Sequence, residues 1–285
     1  MLLDKIITAL VSEIKNYNSK IVFRALEIGA LDVGHKEKFH KILEYFPGSE
    51  IIGFEVDENT CEKLNSQAKN GIKYFPNALG LKKETRTFYE TNEPMCCSLY
   101  KPNDRLLRLY NNLEVSYLRK ESKIDTIDLD TFIEENSISI IDFIKIDVEG
   151  AELEIFKGGI KTLKDITFIV SEVEFIQHHD NQPLFGEISK FLSQSDFMFH
   201  KFLGLAGRTL KPLILNDEPH FASQHIWSDA VFIRDILKIR NLTSDQLLKL
   251  SVFAALYESL DLTYFCLNQH DKIFSTNFKK IFKSY

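Results

Sequence analysis

The chain has 285 residues, 35 of them basic and 41 acidic, with a formal net charge of −6 and a pI near 5.8; that length corresponds to one large domain or two small ones. Apolar residues make up 44% and charged residues 27%, which is ordinary for a globular chain and excludes extended disorder. The acidic balance argues against a general nucleic-acid binder, and no apolar run approaches the roughly 18–20 residues of a membrane span.

Residues 1–19 read as an amphipathic helix with Leu3, Ile6, Ile7, Leu10, Val11 and Ile14 on one face. Asp4, Lys5, Glu13 and Lys15 interrupt it, so no signal peptide is expected. Residues 21–28 are mostly apolar and end at Gly29, as suits a strand buried on both faces. A helix over 36–45 stops at Pro47-Gly48, a second strand covers 51–54, a helix 59–69 and a third strand 72–75. This alternation predicts an open parallel sheet with helices on both faces.

The middle of the chain is less regular, with a strand over 85–89, a polar loop over 92–103 and a helix over 126–135. Residues 138–146 are the strongest strand, followed by a helix over 152–164, a strand over 166–175, a helix over 184–193 and a strand over 197–202. A loop with Gly204, Gly207, Pro212 and Pro219 leads to a last short strand over 230–233. From about Asp235 the pattern turns helical: Thr243-Ser-Asp-Gln246 reads as a capping box for a helix over 244–257, with a second helix over 260–268. The expected organisation is a sheet domain over 1–234, carrying the N-terminal helix, and a helical extension over 235–285 too small to fold by itself.

Cys61, Cys96, Cys97 and Cys266 show neither CxxC nor Cys/His ligand spacing, so reduced thiols of a cytoplasmic protein are expected and zinc is not.

Candidate chemistry gathers at strand ends. Gly29 removes a side chain where backbone turns sharply or approaches a ligand, although a plain tight turn explains it equally. Its spacing to Gly34 is G-x4-G, so the dinucleotide fingerprint is absent and a nicotinamide-dependent dehydrogenase is disfavoured. Glu55, ending the second strand, is placed to accept hydrogen bonds from both hydroxyls of a ribose; the plain alternative is a solvated carboxylate. In Ile141-Asp-Phe-Ile-Lys145-Ile-Asp147-Val-Glu149, the three charged residues Lys145, Asp147 and Glu149 share one parity. Charges on a doubly buried strand are costly unless they are paired or lie at its carboxyl end, where open α/β sheets bind ligands. A structural Lys145–carboxylate pair is the alternative, and Glu152 is assigned to the dipole of the following helix.

The run from Ile141 through Asp147-Val-Glu149-Gly-Ala-Glu152 to Gly158 resembles the signature of the FkbM family of S-adenosylmethionine-dependent methyltransferases. Glu27-Ile-Gly29-Ala30 resembles the family's first cofactor motif, Gly53-Phe-Glu55 its acidic strand end, and Asn77-Ala78-Leu-Gly80 the element that contacts adenine. Ser171-Glu172-Val-Glu174-Phe and Gln182-Pro-Leu-Phe-Gly186 are similar to further family runs, and the resemblance covers roughly 20–235.

The resemblance implies a class I methyltransferase fold: a Rossmann-like, seven-stranded, mostly parallel α/β sheet whose last strand is antiparallel. It implies S-adenosylmethionine as cofactor, held by Glu27, Gly29, Ala30, Glu55, Asn77, Ala78 and Asp147. Glu27 departs from the Asp of many relatives, and His179 stands near a position where relatives often have Tyr. As base for an acceptor hydroxyl the chemistry offers His179, with Glu172, Glu149 and Asp229 as further candidates. A solvated histidine and a loop carboxylate are the plain readings of His179 and Asp229; His178 is attractive on the same chemistry as His179, and His200, His220 and His225 are weaker candidates. Asp147, Glu149 and Glu172 offer oxygen ligands for Mg²⁺, but carboxylates beside a cationic cofactor need no metal and none is expected.

The expected function is O-methylation of a sugar hydroxyl in a glycan or glycoconjugate by a cytoplasmic enzyme that is not an integral membrane protein. A small secondary metabolite is the alternative acceptor, and a non-catalytic interaction protein that keeps the fold is the alternative role.

Overall fold

Apolar runs ending at glycine or at carboxylates become the parallel core of the molecule, a computed structural model that describes residues 2–30, 37–216, 218 and 222–284. Gly34, Lys36, Pro219 and His220, singled out in the sequence, lie outside the described residues. The strands of the main sheet are β1 (Arg24–Ile28), β2 (Glu50–Phe54), β3 (Ile72–Phe75), β7 (Phe143–Ile146), β8 (Phe168–Glu174), β9 (Phe197–Phe202) and β10 (Trp227–Arg234). Between β3 and β7 the chain adds β4 (Ala78–Gly80), β5 (Glu84–Thr91) and β6 (Leu118–Asp128). The helices are α1 (Leu2–Tyr17), α2 (Lys41–Tyr45), α3 (Glu58–Gln67), α4 (Asp104–Leu107), α5 (Leu129–Glu135), α6 (Glu152–Gly158), α7 (Phe185–Gln194), α8 (Ser244–Leu256) and α9 (Leu260–Phe274).

The seven-stranded sheet has the order β3-β2-β1-β7-β8-β10-β9. Strands β3, β2, β1, β7 and β8 run parallel, and β10 is antiparallel to both its neighbours. This is the doubly wound sheet with a reversed last strand that the sequence predicts. Chain order reverses between β1 and β7, so the crevice of such a sheet opens at their carboxyl ends. A second sheet, β4-β6-β5, stands beside it.

Each face of the main sheet has its own apolar layer. On one, Ile6, Leu10 and Ile14 of α1 share a core with Phe253 of α8, Leu267 of α9 and Phe23, Phe143 and Phe168 of the sheet segments. Phe253 packs 4.7 Å from Phe143 and 5.5 Å from Phe23, ring centre to ring centre. On the other face, Phe132 of α5, Phe156 of α6 and Leu192 of α7 cover Leu26, Ile144 and Ile169. An ion pair fastens α8 to the amino-end edge: Lys249 Nζ donates to both Asp142 oxygens at 2.9 Å, and Asp142 Oδ2 accepts from Arg24 N at 2.9 Å. The capping box holds as predicted, with Gln246 N donating to Thr243 Oγ1 and Thr243 N to Gln246 Oε1.

Several predicted boundaries move. The strand expected from 138 starts at Phe143, which pairs with Ala25 of β1; Asp142 before it still donates its N to Arg24 O at 2.9 Å. Residues 126–128, expected in a helix, end β6; α5 begins at Leu129, capped by the Asp128 side chain accepting from Thr131 N. Helix α6 stops at Gly158 rather than at 164, where the backbone lies against Gly80 O and any Cβ would fall 2.6 Å from it. The last strand is longer than expected and includes Trp227, Ser228 and Asp229.

Candidate active site

Carboxyl ends of β1, β2, β7 and β8, with the amino end of the reversed β10, surround a cleft of about 2060 Å³. Glu27, Gly29, Ala30, Glu55, Asn77, Ala78, Asp147, Glu149, Glu172 and Asp229 all line it. His179 does not.

At the end of β1, Gly29 adopts φ +84°, and a Cβ there would lie 1.8 Å from Asp147 O. That close approach is what glycine permits, and it is held by Asp147 N donating to Ile28 O at 2.9 Å. Glu27 is fixed by His40, whose Nε2 lies 3.1 and 3.2 Å from its two oxygens. Glu55 Oε1 accepts from Asp57 N at 2.8 Å, and burial raises its carboxyl above the usual range.

The ends of β7, β8 and β10 form one charged cluster. Lys145 is buried, and its Nζ donates to Asp229 Oδ1 at 2.8 Å and to Asp147 Oδ2 at 3.3 Å. Burial acts to lower its pKa, but the two carboxylates outweigh that and hold the ammonium well above its ordinary value. The Lys145–carboxylate pair foreseen from the sequence thus forms together with a strand-end cluster. Asp229 sits in β10 opposite Glu172, not in a preceding loop.

Glu149 takes φ +57°, a left-handed conformation worth on the order of 1–3 kcal/mol of strain for a non-glycine residue. Ser98 Oγ donates to Glu149 O at 2.7 Å and holds the turn. Glu152 does more than face a helix dipole: it is fully buried, and its Oε1 accepts from Val148 N at 2.9 Å and Gly150 N at 3.3 Å. Burial, then the charge of Asp147, pushes Glu149 and Glu172 well above the carboxylate range. Burial pushes Glu152 up to about 7 against its backbone hydrogen bonds.

The two adjacent histidines part company. His179 is fully buried with neither ring nitrogen bonded, and burial pushes its pKa down to about 4. His178 lines the cleft edge-on to Trp227 at 5.6 Å, with its pKa pushed down to about 3 by burial. His179, offered above as the base, does not reach the cleft: β8 ends at Glu174, and the turn that follows carries the imidazole into the interior. Residues that sequence reasoning left out include His40, Ser98, Arg208, which stacks on Trp227 at 4.6 Å, and the buried hydroxyl of Tyr257. None carries a local motif; only tertiary proximity reveals them. All four cysteines are free thiols.

This reversed-strand sheet with its ligand crevice at the carboxyl edge defines the class I methyltransferase fold. The chain belongs to the FkbM methyltransferase family: the Methyltransferase FkbM domain matches residues 27–199, more than half its length. It is a methyltransferase. No curated protein matches the chain in sequence. Among solved structures it is similar to a putative methyltransferase from Thermoplasma acidophilum, at 11% identity over 76% of this chain and 70% of that one, with a TM-score of 0.37. It is also similar to precorrin-6y C5,15-methyltransferase from Geobacter metallireducens GS-15, at 10% identity over 75% and 82% of the two chains, with a TM-score of 0.35. Among the described residues no helix is long and apolar enough to cross a membrane.

Proposed function

We propose that the protein is an S-adenosylmethionine-dependent O-methyltransferase acting on a sugar hydroxyl of a glycan or glycoconjugate. The observation that carries the cofactor is the site's donor set: carboxylates Glu27 and Glu55 line the cleft together with Gly29, whose missing Cβ lets the turn after β1 lie against Asp147 O, with no phosphate-binding glycine run. S-adenosylmethionine has an ammonium, a ribose diol and no phosphate, and when bound it supplies an electrophilic methyl group on a sulfonium. Glu55 would receive the ribose hydroxyls, Asn77 and Ala78 would line the adenine, and Glu27 and Asp147 would face the cationic end.

The acceptor side favours a polar, extended substrate. A cleft of about 2060 Å³ exceeds the ~300–1,000 Å³ of ordinary small-ligand pockets, leaving space for several sugar units beside a cofactor. Trp227, with Arg208 stacked on it, offers an aromatic surface, and Asn92, Asn112 and Arg119 line the same cleft with polar groups. Proton removal from the acceptor falls to Glu149 or Glu172, which line the cleft; Asp229 is engaged by Lys145, and His179 cannot reach. What the chain contributes is position and a proton acceptor, as an in-line displacement requires.

Two measurements test this reading. Incubation with methyl-labelled cofactor and glycan extracts is expected to place label on a sugar oxygen; label confined to small metabolites would overturn the glycan assignment. Glu55→Ala is expected to weaken S-adenosylhomocysteine binding by on the order of 1.5–3 kcal/mol, the loss of a charged acceptor for two hydroxyls, with the fold intact. Unchanged affinity by calorimetry would remove Glu55 from the ribose site.

A further inference from the structure

The carboxylates at the ends of β7 and β8 outnumber what the cofactor needs, even with Asp147 shared between the two. Asp147, Glu149 and Glu172 each offer an oxygen, and these atoms lie within 4.8 Å of one another. Opposed ligands of a hard divalent cation stand about 4.0–5.2 Å apart, twice the bond lengths of Mg²⁺ and Ca²⁺, so a cation fits between them with little side-chain movement.

A second observation points the same way. Behind the three stand Glu152 and Glu174, only 0% and 1% exposed. Glu152 Oε2 and both oxygens of Glu174 have no hydrogen-bond partner among the described residues. The bonds of Glu152 Oε1 to Val148 N and Gly150 N, on either side of Glu149, set this carboxylate into the very turn that presents Asp147 and Glu149. Glu174 lies two residues beyond Glu172 on the same face of β8. Among the described residues, Lys145 makes its ion pairs with Asp147 and Asp229 and none with Glu149 or Glu172, although its charge is felt at Glu172. Burying carboxylates without compensation is expensive, and a positive charge at the mouth of the cluster offsets it.

We propose that Asp147, Glu149 and Glu172 bind a divalent, oxygen-seeking cation of the Mg²⁺/Mn²⁺ class at the carboxyl edge of β7 and β8, contrary to the metal-free site expected from sequence. Ligation uses one oxygen of each carboxylate and leaves others to meet the acceptor. The site itself stands on geometry; its use, polarising an acceptor hydroxyl so that its proton leaves at neutral pH, rests on the O-methylation reading.

The test is binding of Mn²⁺ alone to the purified full-length chain, without cofactor or acceptor, followed by the electron paramagnetic resonance signal of free Mn²⁺ and by calorimetry. We expect one equivalent bound and displaced by excess Mg²⁺, with affinity at least tenfold weaker in Glu172→Gln and in Glu149→Gln. Asp196→Asn, which removes an exposed carboxylate paired with Lys238, is expected to bind as the parent does. Absence of binding, or binding insensitive to both glutamine variants, would overturn the cation site while leaving methyl transfer untouched. Two variants guard against one that folds poorly, since both are isosteric.

Discussion

Replacing Gly29 by alanine is expected to lower the melting temperature by roughly 10 °C, corresponding to on the order of 3–5 kcal/mol in a chain of this size. The added methyl would lie 1.8 Å from Asp147 O and 2.9 Å from Asp147 C, both backbone atoms, at a φ of +84° that alanine rarely adopts. Relief requires β1 and β7 to separate at their carboxyl ends, breaking the bond from Asp147 N to Ile28 O. That displacement moves Asp147 and the cradle together, so affinity for S-adenosylhomocysteine should fall more than a hundredfold. Gly186→Ala is the control: nothing lies within 4 Å of its Cβ position, in the first turn of α7, and stability should hold or rise slightly. A Gly29→Ala protein melting with the parent would refute the close-approach argument.

The second large effect is on the pH dependence of stability. Burial pushes His178 and His179 down to about 3 and about 4, against about 6.5 in an unfolded chain. Above pH ~6.5 neither state is charged; as pH falls below it the unfolded chain gains protons that the folded one refuses, and stability is lost until the folded values are reached. At pH 5 each ring costs about 2 kcal/mol, or about 4 kcal/mol together, at 1.36 kcal/mol per pH unit. The buried carboxylates raised above their usual range, among them Glu174, act in the opposite sense and gain stability as pH falls. The prediction is therefore a difference: relative to His178→Gln/His179→Gln, the parent should lose about 4 kcal/mol between pH 7.5 and pH 5.0. Urea unfolding of both proteins at the two pH values measures it; parallel pH profiles would mean the imidazoles are not buried.

Much of this architecture is legible before any coordinates. Residues 24–28, 50–54 and 168–174 are apolar runs whose ends carry Gly29, Glu55 and Glu172, and a doubly covered parallel sheet leaves those positions one place to go. Of the second sheet only β5 is legible, as the strand expected over 85–89. β6, LRKESKIDTID, is long but largely exposed, so it has no apolar run to betray it, and β4 is only three residues. At the site, Lys145, Asp147 and Glu149, grouped by parity, all line the cleft, although β7 ends at Ile146 and Glu149 reaches it through a left-handed turn that parity does not foresee. His179, chosen for its imidazole chemistry, follows β8 in a turn whose direction the sequence does not reveal, and the turn buries it. Contacts made by residues far apart in sequence, such as His40 on Glu27 or Lys249 on Asp142, leave no local trace.

The packing of α1 has a consequence for how the chain is made. Its apolar face closes on α8 and on the segment after α9, with Asn18 Nδ2 donating to Asp245 Oδ1 at 3.1 Å and Lys280 meeting Glu13 at 2.9 Å. A ribosome makes α1 first but its partners more than two hundred residues later, some ten to forty seconds on at about 5–20 residues per second. During that interval Ile6, Leu10 and Ile14 lack α8 and the last segment, and Phe143 and Phe168 lack Phe253 and Tyr257, with Phe39 as partial cover on Phe143. Nascent chains stalled before position 244 should therefore be the species that chaperones bind and proteases cut.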